Sequence, residues 1–536
     1  MSQARTCGEA TMQLLKDYGV DTVFGIPGDH NLELYRGIAT SNIRHVLARN
    51  EQGAGFMADG YGRSTGRPGV CTIISGPGVT NALTAIGQAF ADSVPMLVIS
   101  SANDVASQGK GWSCLHDTPD QQAITESLTA LSAMVYKPEE IPELIARAFA
   151  IFHSQRPRPV HISIPIDVLR MTVDEPWIVS TVPSRPIPAV QPMTDAADML
   201  TAAERPLMLV GGGASEAGEN VTKLAELLNA GVIASNAGKG VVSDSNPLSL
   251  SGSFISPAVQ DYMSKADVIL SIGCEIAESD SFIERMPING KMIKIDIDPA
   301  RFHDLYPADI AILGNAKEGV DGIYAALQER GFNGSGRDSV AEIVNVRKAM
   351  FEAFTSVENQ HVKVLTSLRK VLPEDTIMMG DICQVVYTGS PAMPIYQPRT
   401  WFYPAAFATL GCALPDAIGA KVALPERPVI AMVGDGGFMF TLQELATAVE
   451  EELSIPIVLW NNDSLAMIRD IMDIRGIPQI SVNQRNPDFL KLADAFGCPG
   501  IKVNSTAELE KTITEALSYK GPTLILVQEN DDWLQE

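Results

Sequence analysis

Near its C-terminal end the chain reads Val429-Ile-Ala-Met-Val433, then Gly434-Asp435-Gly436-Gly437, and later Asn461-Asn462-Asp463, with Asn462 27 residues after Asp435. Glycines let backbone N–H groups approach a phosphate closely, and the N-terminus of a following helix favours negative charge. A diphosphate held in this way needs a cation to offset its charge. Mg2+ takes oxygen ligands and keeps phosphate and water in its shell. Asp435 and Asn462, at the ends of successive strands, are of the right type to hold one, and their spacing suits a turn, a helix and a strand back. Taken alone, Gly-Asp-Gly is an ordinary sheet-end loop; the helix and the asparagine pair at this distance favour the metal–diphosphate reading. Thr441 and Glu444 have capping-box spacing, which predicts a helix start there. Leu442, Leu445, Ala446 and Val449 share one face of that helix.

A second residue able to do chemistry lies far upstream. His45-Val-Leu-Ala-Arg-Asn50 reads as a strand and its exit, and Glu51 opens a helix carrying Ala54, Met57 and Ala58 on one face. In isolation Glu51 is an acid that favours a helix dipole. As a group that shares a proton with a ligand, it would gain from an apolar setting that raises its pKa, while the helix N-terminus pulls the other way.

Buried parallel sheets are the elements expected to position these residues. Short apolar runs without alternation occur at 21–28, 69–78, 95–101, 160–166, 207–211, 268–272, 292–297, 429–433, 455–460 and 523–527, with helical patterns between them. Such runs suit strands covered on both faces. The proline-rich stretch 170–195 and the glycine-rich polar stretch 330–338 read as linkers, the second followed by a polar helix. The stretch 390–399, with Pro391, Pro394 and Pro398, reads as a loop lining a site. The fold expected is α/β with three consecutive parallel-sheet domains, at 1–170, 190–335 and 360–536. A chain of 536 residues is too long for one core.

Bulk properties narrow the function. A formal charge of −24 repels nucleic acid and anionic membranes. Seven cysteines without a C-x-x-C pair argue against disulfides and zinc, and fit a reducing compartment. With no basic-then-apolar start and no run suited to a bilayer, a cytoplasmic location is expected.

The segment from Gly434-Asp435-Gly436 to Asn461-Asn462 resembles the thiamine diphosphate signature of the pyruvate decarboxylase and acetolactate synthase superfamily. The resemblance implies that Asp435, Asn462 and the main-chain oxygen of Ser464 bind Mg2+, and that Gly434, Asp435, Gly436, Gly437 and Asn462 hold the diphosphate. The segment around Glu51 resembles the family's catalytic-glutamate motif. There the acid hydrogen-bonds a pyrimidine ring nitrogen, the activated coenzyme adds to a 2-oxo acid, and its thiazolium ring absorbs the electrons left by CO2. Leu410, in Thr409-Leu410-Gly411-Cys412-Ala413-Leu414-Pro415, matches the bulky residue beneath the bent cofactor, with the Ala408 carbonyl and the Leu410 N–H meeting the pyrimidine. The resemblance continues through Val23-Phe-Gly-Ile-Pro-Gly28, Ser75-Gly-Pro-Gly-Val-Thr-Asn81, Lys294-Ile-Asp-Ile-Asp-Pro299 and Asn486-Pro-Asp-Phe489. It implies pyrimidine-binding, central and diphosphate-binding domains. It also implies at least a homodimer, with a homotetramer as the expected assembly, in which Glu51 and Asp435 of one site come from different chains.

Non-oxidative decarboxylation of a 2-oxo acid to an aldehyde is the expected reaction. Asp29, in Pro27-Gly28-Asp29-His30-Asn31, matches an active-site aspartate of pyruvate-decarboxylase-like enzymes, and His116 falls near their paired histidines, although Asp117 follows it here. An acid and a histidine near the reacting carbon can deliver the proton that releases an aldehyde. Those enzymes carry a glutamate six residues after the second Asn, where this chain has Ile468; Leu465, Met467 and Ile468 suggest an apolar wall instead. The stretches Gly109-Lys-Gly-Trp-Ser-Cys-Leu-His-Asp-Thr118 and Trp460-Asn-Asn-Asp-Ser-Leu465 resemble 5-guanidino-2-oxopentanoate decarboxylase-like members, whose guanidinium would want a carboxylate such as Asp29, Asp117 or Asp470. Rival readings are an acetolactate-synthase-like carboligase and a flavin-dependent oxidase. The hint of the latter is Gly211-Gly212-Gly213 after a strand, though Glu216 leaves G-x-G-x-x-G incomplete. A non-catalytic binding paralogue is disfavoured by the presence of Glu51, Asp435 and Asn462 together.

Overall fold

The computed structural model describes residues 5–173, 176–334 and 336–535. The first unit contains β1 (Arg5–Thr6), β2 (Thr22–Gly25), β3 (Arg44–Leu47), β4 (Gly69–Ile73), β5 (Met96–Ala102), β6 (Leu131–Met134), β7 (Val160–Pro165) and β8 (Thr172–Val173). The middle unit contains β9 (Pro206–Val210), β10 (Gly231–Ala234), β11 (Val268–Ile272), β12 (Lys291–Asp296) and β13 (Ile310–Leu313). The third contains β14 (Ile377–Gly380), β15 (Trp401–Phe402), β16 (Val429–Gly434), β17 (Ile455–Asn461), β18 (Gly500–Lys502) and β19 (Pro522–Gln528). Each of the ten apolar runs overlaps one of these strands. Strands such as β4, β5, β7 and β16 are buried along their whole length, because helices cover both faces of their sheets.

Three parallel sheets result, so the α/β expectation holds. Their orders are β3-β2-β4-β5-β7-β6, β10-β9-β11-β12-β13 and β15-β14-β16-β17-β19-β18. Counted along each unit, the first and third sheets run second, first, third, fourth, sixth, fifth, so these two units share a topology. In each sheet the chain direction reverses between the first and third strands, and the crevice beyond the carboxyl ends of those strands is where open α/β sheets bind ligands. The short β1–β8 pair is antiparallel and separate.

One apolar core runs through the first and third units and includes Phe24, Met57 and Ile86 with Leu414, Ile418 and Val433. The helices Glu51–Thr65 and Ala413–Ala423 cross at its centre. They touch at glycines: a Cβ on Gly60 would run into the Asp416 backbone, and one on Gly419 into that of Met57. Beside this crossing Arg63 binds Asp59, and Asp92 at 2.8 Å. The middle unit is clamped to the third by Lys239, whose buried ammonium donates to Ser390 O at 2.6 Å and Met393 O at 2.9 Å.

Two linker readings shift. The helix Val190–Thr201 begins inside the proline-rich stretch, because Pro192 occupies its first turn, where no intrahelical N–H bond is lost. Ser390 and Pro391 belong to the helix Gln384–Ala392, so the expected loop starts at Met393. The polar helix after 330–338 is Ser339–Glu352.

Candidate active site

The residues expected to hold a metal and a phosphate lie at the reversal point of the third sheet. β16 ends at Gly434, and Asp435 is the first residue of the helix Asp435–Thr441. Asp435 is buried, and its Oδ2 accepts Asn486 Nδ2 at 2.7 Å. Burial pushes its pKa up, while Asn486 and the amides of Gly436 and Asp463 act against that. Asn486 also donates to Asn461 Oδ1 at 2.9 Å and Asp463 Oδ1 at 3.0 Å, so one amide ties the end of β17 to the end of β16. Asn462 turns its amide nitrogen to Gln384 Oε1 and Glu529 Oε2, both at 3.3 Å, and its oxygen accepts Ser464 N at 3.3 Å. Ser464 is buried, with its hydroxyl on Val482 O, which leaves its own main-chain oxygen as its donor for a cation.

The cradle's glycines are fixed by close approach. A Cβ on Gly437 would stand 2.9 Å from the Asp381 carboxyl, one on Gly434 3.0 Å from Cys383, and one on Gly436 3.3 Å from Leu465. Asp381 is wholly buried and receives the Gly411 N–H at 3.0 Å on both oxygens and the Ile382 N–H at 2.7 Å. Burial raises its pKa to about 6 despite those bonds. Asp381 therefore joins the phosphate-side helix to the turn carrying Leu410, which is half-buried. Ala408, two residues before, takes a left-handed φ of 55° and is exposed.

The helix expected after Thr441 is present, as a 3-10 turn Leu442–Glu444 that runs into the helix Leu445–Glu450 with Thr441 at its N-cap, but the capping box is not formed; a separate helix, Asp435–Thr441, precedes it. Thr441 Oγ1 donates to Gly411 O at 2.6 Å, and Glu444 turns into the first unit. Both side chains have tertiary partners that outcompete a local cap.

The second half lies at the reversal point of the first sheet. Asp29 opens a 3-10 turn, Asp29–Asn31, after β2, and its side chain is exposed. His30 is buried against the loop after β4, with Nδ1 2.7 Å from Ser75 Oγ. His116, on a loop with a left-handed φ of 58°, sets its ring edge-on to His30 at 5.1 Å between centroids. A pair of imidazoles is thus present, its members from segments 86 residues apart. Burial and the neighbouring His116 push the His30 pKa down, against Asp29 and Asp104. Gly76 lies against His116, and its N–H donates to the buried Gln121 at 2.9 Å. Ile74 touches both Gly28 and Gly78, and Gly78 abuts Glu51. The segment 74–78 therefore joins Asp29, His30 and His116 to Glu51, whose carboxylate accepts Asn81 Nδ2 at 2.9 Å.

Among the substrate-pocket candidates, Asp117 is half-buried on the His116 loop, in the first unit. Leu465 and Met467 are half-buried beside the cradle, while Ile468 is 48 % exposed. Asp470 is exposed and pairs with Arg469 at 3.1 Å. Apolar side chains around both halves stand in solvent, Trp112, Leu115 and Leu32 on one and Phe407, Met439 and Phe440 on the other.

A bound diphosphate and cation suit this arrangement. The donor set is one carboxylate, one amide oxygen and a main-chain oxygen, and no group of three His, Cys, Asp or Glu that could hold a metal occurs among the described residues. That composition matches a hard cation completed by phosphate and water. Sequence reasoning missed His30, Gln384, Asp381, Glu444 and Asn486. His30 adjoins Asp29 and Asn486 opens Asn486-Pro-Asp-Phe489, so their positions in the chain point to them while their partners, distant in sequence, do not.

Comparison with known proteins gives consistent matches. Residues 5–124 match the N-terminal TPP binding domain of thiamine pyrophosphate enzymes, residues 193–323 their central domain and residues 381–527 their C-terminal TPP binding domain. The chain is 47% identical over 527 residues to a probable 2-ketoarginine decarboxylase of Pseudomonas aeruginosa, covering 97% of this chain and 93% of that protein. It is 33% identical to the acetolactate synthase large subunit of Haemophilus influenzae, covering 98% and 94%, and 32% identical to the acetolactate synthase isozyme 3 large subunit of Escherichia coli, covering 95% and 92%.

Proposed function

The chain belongs to the thiamine pyrophosphate enzymes, and from that premise we propose that it decarboxylates a 2-oxo acid without oxidation, releasing an aldehyde and CO2. The coenzyme is thiamine diphosphate, which when bound supplies the electron sink for the carbon that loses CO2. In this reading Asp435, Asn462 and the Ser464 carbonyl hold Mg2+, and Gly434, Gly436 and Gly437 cradle the diphosphate. Leu410 and Ala408 shape the pyrimidine site, and Glu51 shares a proton with the ring. The regions 1–170, 190–335 and 360–536 serve as pyrimidine-binding, central and diphosphate-binding domains. A second copy of the chain completes each site. The exposed apolar side chains on both halves support a homodimer at least, with a homotetramer as the expected assembly. No helix among the described residues is long and apolar enough to cross a membrane, and the cysteine usage supports a cytoplasmic location.

One observation carries decarboxylation over carboligation: the His30–His116 pair beside Asp29. Conversion of a 2-oxo acid to an aldehyde consumes one proton per CO2 released, and that proton ends as the aldehyde C–H. Two imidazoles and a carboxylate at one crevice can pass it from solvent. For the substrate, 5-guanidino-2-oxopentanoate is favoured by the name of the Pseudomonas relative, with Asp29, Asp117 and Asp470 as candidate partners for its guanidinium.

A panel of 2-oxo acids with thiamine diphosphate and Mg2+ tests the reading, scoring CO2, aldehyde and acyloin. Aldehyde plus CO2 from the guanidino acid is expected. Acetolactate from pyruvate as the main product would establish the carboligase instead, and visible flavin absorbance in the purified protein would revive the oxidase. Glu51→Gln should bind the coenzyme and lose most turnover; wild-type activity in that variant would remove Glu51 from the mechanism.

A further inference from the structure

Glu444 is a fully buried carboxylate to which the reaction above gives no task. It lies nine residues after Asp435, about 14 Å along the segment if helical rise is kept throughout. Its side chain leaves the third unit for the first. Both oxygens accept the Arg49 N–H at 3.1 Å, Oε1 accepts the Asn50 N–H at 3.0 Å, and the Thr447 hydroxyl lies 2.9 Å from Oε2. Arg49 and Asn50 are the two residues before Glu51, and the Asn50 side chain caps the next helix by accepting the Gln52 N–H at 2.9 Å. Gly53 faces the same carboxylate, and a Cβ there would take the space of its oxygens. The contact is thus fitted from both sides. An ionised carboxylate accepts from both amides with no donor of its own; an amide or a protonated acid keeps one accepting oxygen and sets a donor at the other, which gives up the second bond to the Arg49 N–H and turns to Thr447, whose own proton then goes to Leu47 O 3.0 Å away.

We propose that Glu444 is the positioning residue for Glu51: its carboxylate holds the Arg49–Asn50 turn and so sets where and at what angle the Glu51 side chain leaves the first unit. The inference rests on the reading of Glu51 as the activating acid, but its contacts are separate. Asp435 and Glu444 end one continuous segment, so that segment fixes the cation-side carboxylate at one end and the activating-acid turn at the other. Because Glu51 is taken to act in the partner's cradle, the segment also spans two sites of the dimer.

Burial raises the Glu444 pKa to about 7, against the bonds from Arg49, Thr447 and Asn50 and the charge of Arg49. The other charged groups around this turn are Glu450, which pairs with Arg49, and Glu451, which pairs with Arg44. As pH falls through about 7, protonation places an O–H among N–H donors and the grip loosens.

The test uses the full chain as Glu444→Gln, Gly53→Ala and the double variant, with Glu450→Gln as control. In the coenzyme-free protein, hydrogen exchange at amides 49–53 should quicken in the first three and not in the control. With saturating thiamine diphosphate, Mg2+ and 5-guanidino-2-oxopentanoate, kcat should fall roughly 10- to 100-fold, the cost of a small misplacement of a reacting group. KM and coenzyme affinity should stay within about threefold, and the limb of the pH profile that rises through about 7 should flatten. The double variant should be no worse than the worse single one, because both changes break one contact. Unchanged exchange at 49–53 in Glu444→Gln, an additive double variant, or full kcat in Glu444→Gln would each overturn the proposal. Should Glu51→Gln keep its turnover, the function assigned to Glu51 fails, while the exchange result still decides whether Glu444 holds the turn.

Discussion

Gly437→Ala puts one methyl group into the join between the phosphate-side helix and the turn of Leu410. Its Cβ would stand 2.9 Å from Asp381 Cγ and Oδ1 and 3.0 Å from Oδ2, so the carboxyl must move. That carboxyl is wholly buried and is the acceptor for the Gly411 N–H. Overpacking of this kind costs about 1–3 kcal/mol. Losing a hydrogen bond to a charged group costs about 1.5–3 kcal/mol. Alanine returns about 1 kcal/mol of helix propensity. The net expectation is a loss of roughly 1.5–5 kcal/mol. Some of it falls on the coenzyme site, because Gly411 adjoins Leu410 and the helix N–H groups shift together. Calorimetric titration of the coenzyme-free protein with thiamine diphosphate and Mg2+ should show affinity weakened roughly tenfold or more, the equivalent of about 1.4 kcal/mol. Chemical denaturation should show a lower midpoint at an unchanged slope. Asp381→Asn, which keeps the shape and removes the charge, should lose part of the same affinity. A Gly437→Ala protein with wild-type midpoint and wild-type coenzyme affinity would refute the claim that Asp381 joins the two segments.

Asn486→Ala removes the amide shared by Asp435, Asn461 and Asp463; the Mg2+ concentration needed for half-maximal activity should rise several-fold with kcat at saturating Mg2+ nearly kept, and an unchanged Mg2+ requirement would show that Asn486 does not orient Asp435. The thermal midpoint of the coenzyme-free protein should rise as pH is lowered from about 7.5 to about 6 at fixed ionic strength. Burial raises Asp59, Asp280, Asp296 and Asp381 to about 6 and Glu444 to about 7. In that window the folded chain binds protons that the unfolded chain does not, so stability falls as pH rises. The buried His161 and His361, lowered to about 4, act the other way below about 6.5 and should flatten the rise there. A midpoint that drops on acidification from 7.5 to 6 would contradict this balance.

What could be read in the sequence follows from which interactions are local. The strands found from apolar runs alone are those buried on both faces, such as β4, β5, β16 and β17, where most residues are apolar. The runs pass over β6, β10, β13, β15 and β18, which lie at sheet edges and are only two to four residues long; β6, β13 and β18 are also only partly buried, so the apolar pattern dilutes there. They also pass over β14, an interior strand of four residues that contains two methionines. Asp435, Asn462 and Glu51 stood out because their chemistry is tied to a sheet end or a helix start, and such positions leave a local pattern. The capping box at Thr441 and Glu444 shows the limit of this method. The spacing was right, but Gly411 and the Arg49 turn, distant in the chain, took both side chains.

The histidine pair makes the same point for function. A search for two adjacent histidines finds only His116, because Asp117 follows it. The fold supplies the second ring from the loop after β2: β2 and β4 are neighbours in the sheet, their exits meet at the reversal point, and the exit of β4 touches His30 through Ser75 and, through Gly76, His116 from the loop after β5. The third sheet has the same strand order, so the exits of β14 and β16 meet in the same way and bring Asp381 against Gly437. Repeating one topology thus yields two crevices whose linings are chosen independently. One carries imidazoles and carboxylates, the groups proposed to move protons, the other glycines and oxygen donors, the groups proposed to hold phosphate and a cation. Neither crevice carries both sets of groups, which is the physical reason a bridging coenzyme and a carboxylate strut such as Glu444 have work to do between them.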